Sequence, residues 1–204
     1  MSVDGKVRVG IYGTGQFATK THIPNLQKID GVDVVAVCDV NEDALRETAD
    51  AFDILQRYTN AYEMIEQAKL DVLYSVVPAF VRTDVEIKAV EKGIHLFSEK
   101  PQSTKMSVVR AIDEAVKKAN VINSVGFRER YRPLFQEAKR LLADKEIVHT
   151  HFHRATGDWG RRASKPGSWQ QDFDKHGGMA FDWGVHAMDY IRFMTGINAV
   201  RAQA

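Results

Sequence analysis

The chain has 204 residues, 44% hydrophobic and 27% charged, with 28 Lys and Arg against 27 Asp and Glu for a net charge of +1. That composition supports a sizeable core and excludes a disordered chain, while the balanced charge excludes a nucleic-acid or anionic-membrane partner held by bulk electrostatics. The single cysteine, Cys38, excludes an intrachain disulfide and a Cys-rich zinc site, and no stretch reaches the roughly 18 apolar residues of a membrane span.

In chain order, Met1 to Lys6 carries no signal-peptide apolar region, so a reducing, cytoplasmic location is expected. Lys6 to Ile11 is the first short β-branched run, followed by Asp33 to Cys38, Asp71 to Val77, Ile94 to Phe97 and Val121 to Val125. Between these runs, Glu42 to Phe52, Thr83 to Lys92 and Thr104 to Asn120 carry apolar residues at helical spacing. Asn41 stands where a helix N-cap belongs, and Gly93 where a helix stop belongs. Strands alternating with helices predict an α/β domain over residues 1–125, with a doubly wound parallel sheet covered on both faces.

Over residues 126–204 the rhythm changes, and a second, α+β domain is expected. Pro133 opens a helix running to Ala143, a strand is expected from Ile147 to Ala155, and a long loop from Thr156 to Lys175. A final helix covers Met179 to Thr195, and Asn198 to Arg201 reads as a strand just beginning. One strand and two helices cannot bury a sheet face alone, so this domain is expected to be incomplete in the chain as given.

The first strand leads into Gly13-Thr14-Gly15-Gln16-Phe17-Ala18, a Gly-x-Gly-x-x-Ala turn ahead of a helix. Gly13 permits the tight turn, Gly15 lets the backbone approach a pyrophosphate, and Ala18 allows close helix–strand packing. Asp39 ends the second strand, where a carboxylate accepts from ribose hydroxyls and repels a 2′-phosphate, which favours NAD over NADP. The alternative is a turn whose glycines only relieve strain, beside a solvated strand-end acid.

The fourth run ends in Ser98-Glu99-Lys100-Pro101, which places Lys100 at the ligand edge of the sheet, either facing a cofactor crevice or as half of a loop Glu–Lys pair. In the final helix Asp182 and His186 are four apart and share a face. Imidazole beside carboxylate suits a general base for a hydroxyl proton; the alternative is a core histidine with Asp182 as a cap.

Taken together, Gly13 to Ala18, Asp39, Glu99-Lys100-Pro101, Gly126-Phe127-Arg128, Arg154 and Asp182-x-Gly184-x-His186 resemble the glucose–fructose oxidoreductase / inositol dehydrogenase / MocA family over essentially the whole chain. The resemblance implies an N-terminal NAD(P)-binding Rossmann domain (1–125) and the start of a C-terminal domain (126–204) whose mostly antiparallel sheet serves substrate and homo-oligomer contacts. It implies an NAD-dependent oxidoreductase passing a hydride between the nicotinamide and a secondary alcohol or ketone of a sugar or polyol. Lys100 then stabilises the reacting oxygen, His186 takes the hydroxyl proton, and Asp182 orients substrate and imidazole. Gly13, Thr14, Gly15, Gln16, Phe17, Asp39, Val77, Pro78, Glu99 and Lys100 become cofactor contacts. Arg128 and Trp169 join Lys100, Asp182 and His186 as substrate contacts. Other readings are a glycosidase or lyase that oxidises its sugar only transiently, and a non-catalytic NAD-binding regulator.

The chain departs from the family in having His176-Gly177-Gly178 in place of three glycines, and Pro78-Ala79-Phe80-Val81-Arg82 where many members have a histidine shortly after the proline of the fourth strand. Two further groups stand out. His149, His151 and His153 share one face of the expected strand, about 7 Å apart. Two of them could serve zinc, but no cysteine or fixed carboxylate completes a site, and Asp172, Asp174 and His176 sit in a loop too flexible to pre-form one, so no metal is expected. Arg161, Arg162 and Lys165, with Trp159 and Trp169, could bind an acidic or phosphorylated sugar or close as a lid.

Overall fold

The computed structural model describes residues 5–153, 169–201 and 203, with the side chains of Met179 and Ala180 left aside. The chain divides into two compact units, one ending at Gly126 and the other starting at Phe127. In the first unit, β1 (Val7–Tyr12), β2 (Val32–Cys38), β3 (Gln56–Tyr58), β4 (Val72–Ser75), β5 (His95–Ser98) and β6 (Asn123–Val125) pair in the order β3-β2-β1-β4-β5-β6. Every pair is parallel. The chain builds outward from β1 through β2 and β3, then returns to build the other side from β4. The reversal between β1 and β4 is the point at which ligand crevices open beyond the C-terminal strand ends of such sheets.

A π-helical turn, Ala18–His22, and α1 (Ile23–Leu26) follow β1, and α2 (Glu42–Ala51), α3 (Ala61–Gln67), α4 (Val85–Glu91) and α5 (Met106–Ala119) join the later strands. Alternate strand residues face opposite layers. Ala36 packs with Met64, Leu73, Val90 and Ile112 under α3 to α5. Its neighbour Val37 packs with Ile11, Leu26, Leu45 and Ile54 under α1 and α2. Each fully buried aliphatic side chain of this kind stabilises the sheet by about 1.5–3 kcal/mol. Asn41 caps α2 by accepting from the Ala44 N–H at 3.0 Å, and Asn60 caps α3 by accepting from the Tyr62 N–H at 2.9 Å. The α/β class, the parallel sheet and the Asn41 cap agree with the sequence. Edge strand β3 and helix α3 do not figure in that reading, because Gln56-Arg57-Tyr58 has no β-branched run and is strand only through its pairing with β2.

Cys38 lies at the end of β2 at 1% exposure, and burial, reinforced by Asp39, pushes its thiol up to about 12. A thiol so placed carries almost no thiolate at neutral pH. Iodoacetamide at pH 8 is therefore expected to leave the native chain unlabelled and to label one site in urea. Rapid labelling of the native chain would contradict that burial.

The second unit holds a 3₁₀ turn (Arg128–Tyr131), α6 (Pro133–Leu142), a second 3₁₀ turn (Trp169–Gln171), a short helix (Phe173–His176) and a final helix (Gly178–Thr195). Proline opens α6 at the position where its missing N–H costs nothing. Helix α6 packs on the final helix through Phe135 and Tyr190, 4.8 Å between ring centroids, and through Lys139 Nζ, 4.6 Å over the Phe193 ring. Arg130 donates through Nε to both carboxylate oxygens of Asp189 at 2.9 and 3.1 Å, and its Nη2 donates to Oδ1 as well.

Three expectations change here, the first being that Asn198 to Arg201, read as the beginning of a strand, forms none. Residues 147–153 form no strand; no other described segment of this unit is a strand, so an extended run there has no neighbour to pair with. Of the loop expected from Thr156 to Lys175, the described residues from Trp169 on form the 3₁₀ turn and most of the short helix. Arg154, Trp159, Arg161, Arg162 and Lys165 lie outside the described residues. Among the described residues no helix is long and apolar enough to cross a membrane.

Candidate functional site

At the end of β1, Gly13 turns the chain at φ +98°. A β-carbon there would stand 2.9 Å from the Val76 carbonyl oxygen and 2.9 Å from Val77 Cγ1, so the turn lies directly against the segment after β4. Gly13 N–H donates to the Cys38 carbonyl at 2.8 Å, which ties the turn to β2 as well. Gly15 differs. A β-carbon on it would meet nothing within 4 Å, and Gly15, Gln16 and Phe17 are all exposed. The backbone here has a clear face of the kind a diphosphate needs beside a helix start.

Asp39 is bound to this turn. Its Oδ2 accepts from the Thr14 N–H at 2.8 Å and from Thr14 Oγ1 at 3.0 Å, and its Oδ1 accepts from the Asn41 N–H at 2.9 Å. A carboxylate offers about four acceptor positions. Three serve the chain itself, which leaves room for one further donor without rearrangement.

The next cluster follows β5. Glu99 Oε1 lies 2.9 Å from His22 Nε2, and Oε2 accepts from the Lys100 N–H at 3.1 Å. The carboxylate presses on Gly126, where a β-carbon would come within 2.7 Å of it. His22 sits among the rings of Phe17, Tyr74 and Phe97, with centroids 5.1, 5.7 and 5.3 Å away. The Lys100–Pro101 peptide bond is cis, and Lys100 is half-buried. Val77 and Pro78 are half-buried after β4. All ten residues expected at the cofactor thus belong to the first unit, at or just beyond the C-terminal ends of β1, β2, β4 and β5.

Sequence reasoning did not assign a role to Arg82 or Glu86, both with wholly buried side chains and 3.9 Å apart. Arg82 donates to main-chain carbonyls on both sides of the cluster, and burial lowers its guanidinium to about 10, which leaves it charged at neutral pH. The Arg-x-x-x-Glu spacing at a helix start was the available signal.

In the second unit Asp182 and His186 lie on one face of the final helix. Asp182 Oδ2 is 3.7 Å from His176 Nε2, and His176 meets Trp169 edge to face at 5.7 Å. His186 is 7% exposed, among Trp183, Tyr190 and Phe127 at 5.5, 5.8 and 6.1 Å. Arg128 is exposed and pairs with Glu129 at 3.1 Å. His149, His151 and His153 are exposed on the segment that forms no strand, so the shared strand face expected for them does not exist. The first unit supplies an open backbone face beside a fixed carboxylate, with Lys100 at a neighbouring strand end, and the second unit supplies an imidazole and a carboxylate on one helix face.

Comparison with known proteins agrees with that chemistry. A model of an oxidoreductase family with an NAD-binding Rossmann fold, GFO_IDH_MocA, matches residues 7–127, and the GFO/IDH/MocA C-terminal domain matches residues 135–204. Myo-inositol 2-dehydrogenase of Thermotoga maritima is 29% identical over 191 residues, covering 93% of this chain and 55% of the relative. Scyllo-inositol 2-dehydrogenase (NAD(+)) of Bacillus subtilis is 29% identical over 197 residues, covering 95% and 55%. Among solved structures, an oxidoreductase domain protein from Kribbella flavida superposes with a TM-score of 0.80 at 25% identity, covering 94% of this chain and 53% of that one. The chain spans about half the length of the curated relatives it matches.

Proposed function

The chain belongs to the Gfo/Idh/MocA oxidoreductase family, and from that premise we propose that it takes part in NAD-dependent oxidation of a secondary alcohol of a sugar or cyclic polyol, or the reverse reduction. The observation that carries the reading is the Asp39 carboxylate fixed to Thr14 beside the open face of Gly15, at the point where the sheet reverses. That open face fits a pyrophosphate, and Asp39 has an acceptor position left for one ribose hydroxyl. Gln16, Phe17, Val77, Pro78, Glu99 and Lys100 would complete the cofactor contacts.

The nicotinamide, when bound, supplies the hydride acceptor or donor for the reaction. Lys100 holds the reacting oxygen through its ammonium and stabilises the negative charge that grows there. His186 receives the hydroxyl proton, and Asp182 orients the imidazole and the substrate. Arg128 and Trp169 contribute to the substrate face. The first unit is then the NAD(P)-binding domain. The second begins the substrate domain, with a mostly antiparallel sheet and a homo-oligomer contact as its further elements, in a cytoplasmic protein. Inositols are the first substrates to test, because the two relatives above are named for them.

The test is a titration with NADH and, in parallel, NADPH, read as energy transfer from tryptophan to nicotinamide. Saturable binding that prefers NADH is expected, followed by NADH formation at 340 nm with NAD and an inositol. Binding of neither nucleotide would overturn the reading. Asp39→Ala is expected to weaken NADH about ten- to a hundredfold, the worth of a charge-assisted hydrogen bond of about 1.5–3 kcal/mol. NADPH should lose less, since it also sheds a like-charge repulsion. An equal loss for both nucleotides would remove Asp39 from the ribose site.

A further inference from the structure

We propose that Arg82 is a positioning residue that clamps the two strand-end segments bearing Val77-Pro78 and Glu99-Lys100 to each other. This rests on the reading of Lys100 given above. The Arg82 side chain is completely buried, and its five acceptors are all main-chain carbonyls. Nη2 donates to Ser75 at 3.2 Å and to Val77 at 2.8 Å, at the end of β4. Nη1 donates to Glu99, to Pro101 at 2.7 Å and to Gln102 at 3.3 Å, beyond β5. The carbonyls immediately before and after Lys100 therefore end on one nitrogen.

Five carbonyls converging on one buried point form a site for a cation with many donors. The four N–H groups of the guanidinium's two terminal nitrogens serve it, Nη1 sharing its two hydrogens among three oxygens, whereas an ammonium has three donors and a neutral side chain would leave most of the oxygens without partners. The charge has its counterpart in Glu86, also completely buried, 3.9 Å from Nε. Glu86 is held in turn, its Oε1 accepting from Ser75 Oγ at 2.5 Å. Ser75 thus contributes its carbonyl to Arg82 and its hydroxyl to Glu86, so the pair is built into the end of β4. Among the described residues, the loop after β5 has ladder support at its start, where the Glu99 N–H donates to the Ser75 carbonyl at 2.9 Å. Beyond that bond, Arg82 ties Pro101 and Gln102 to Ser75 of β4.

Amide hydrogen exchange by mass spectrometry on the whole chain tests the clamp. In the wild type, peptides over 76–81 and 99–105 are expected to open together, with protection within about threefold, because one group holds both. Arg82→Lys keeps a charge for Glu86 and loses most of the bonds. It should speed exchange in both segments at least about tenfold and leave β1 and β2 unchanged. Turnover should fall about ten- to a hundredfold through kcat, with polyol KM held and NADH affinity falling less than kcat, as expected when a reacting group is misplaced by a fraction of an ångström. An arginine that only stabilises would lower Tm and leave kcat at 20 °C unchanged, and that result overturns the proposal. So does unchanged exchange over 99–105. If Arg82→Lys does not fold, the wild-type comparison decides alone, and unequal opening of the two segments overturns the clamp. Loosened segments together with full turnover in Lys100→Met would instead overturn the role given to Lys100 and leave the clamp standing.

Discussion

Lys100→Met is expected to lower turnover of an inositol by about a thousandfold, the scale of losing a group that stabilises charge at the reacting oxygen, while NADH affinity stays within about twofold. The separation follows from how the segment is held. The Lys100 N–H donates to Glu99 Oε2, and the flanking carbonyls of Glu99 and Pro101 accept from Arg82. Those bonds use main chain at positions 99 to 101 and the Glu99 carboxylate, not the Lys100 ammonium, so removing the ammonium leaves them in place. Methionine keeps the length and the apolar stem. Single-turnover formation of NADH at 340 nm, beside a binding titration, gives both numbers. Turnover within tenfold of wild type would remove Lys100 from the chemistry. Equal loss of turnover and NADH binding would make it a cofactor ligand only.

The parts of this molecule that were legible in sequence are those whose cause is local. β1 and β2 are β-branched runs and β4 and β5 short apolar runs that declare themselves, and Asn41 caps α2 with an oxygen three residues from the N–H it accepts. The glycine turn was legible because Gly13 needs a positive φ and a close neighbour, which few other residues tolerate. What escaped depends on residues far apart in the chain. His22 and Glu99 meet across 77 positions, and Arg82 reads its partners by their carbonyls, which every residue has. A guanidinium aimed at main chain leaves no pattern in side-chain identity. Residues 147–153 show the converse. Their composition suits a strand, but a strand is a relation between two segments, and the described part of the second unit offers no second one.

The two glycines of the turn should fail in opposite ways. In Gly13→Ala the new β-carbon would stand 2.9 Å from the Val76 carbonyl oxygen, which is backbone and cannot swing aside, and the residue must keep φ near +98°. A left-handed conformation costs a non-glycine residue of order 1–3 kcal/mol before any clash is counted. For a domain of this size each kcal/mol lowers Tm by roughly 3–6 °C, so a fall of about 10 °C is expected for the apo chain. NADH binding should weaken with it, since the turn that Asp39 and Thr14 share is displaced. Gly15→Ala carries no such strain, because its β-carbon would meet nothing within 4 Å and its φ lies outside the left-handed region. Its apo Tm should hold within about a degree. The methyl group projects into the space where the diphosphate is proposed to lie, and NADH affinity should fall at least about a hundredfold, the cost of steric exclusion plus lost N–H contacts. Thermal scans with and without NADH on both variants measure all four quantities. If Gly15→Ala binds NADH as tightly as wild type, the open face beside Asp39 is not the diphosphate cradle. If Gly13→Ala melts with the wild type, the turn has freedom to move off Val76. The contrast between the two is the sharper test, because a general loosening of the loop would move both proteins in the same direction.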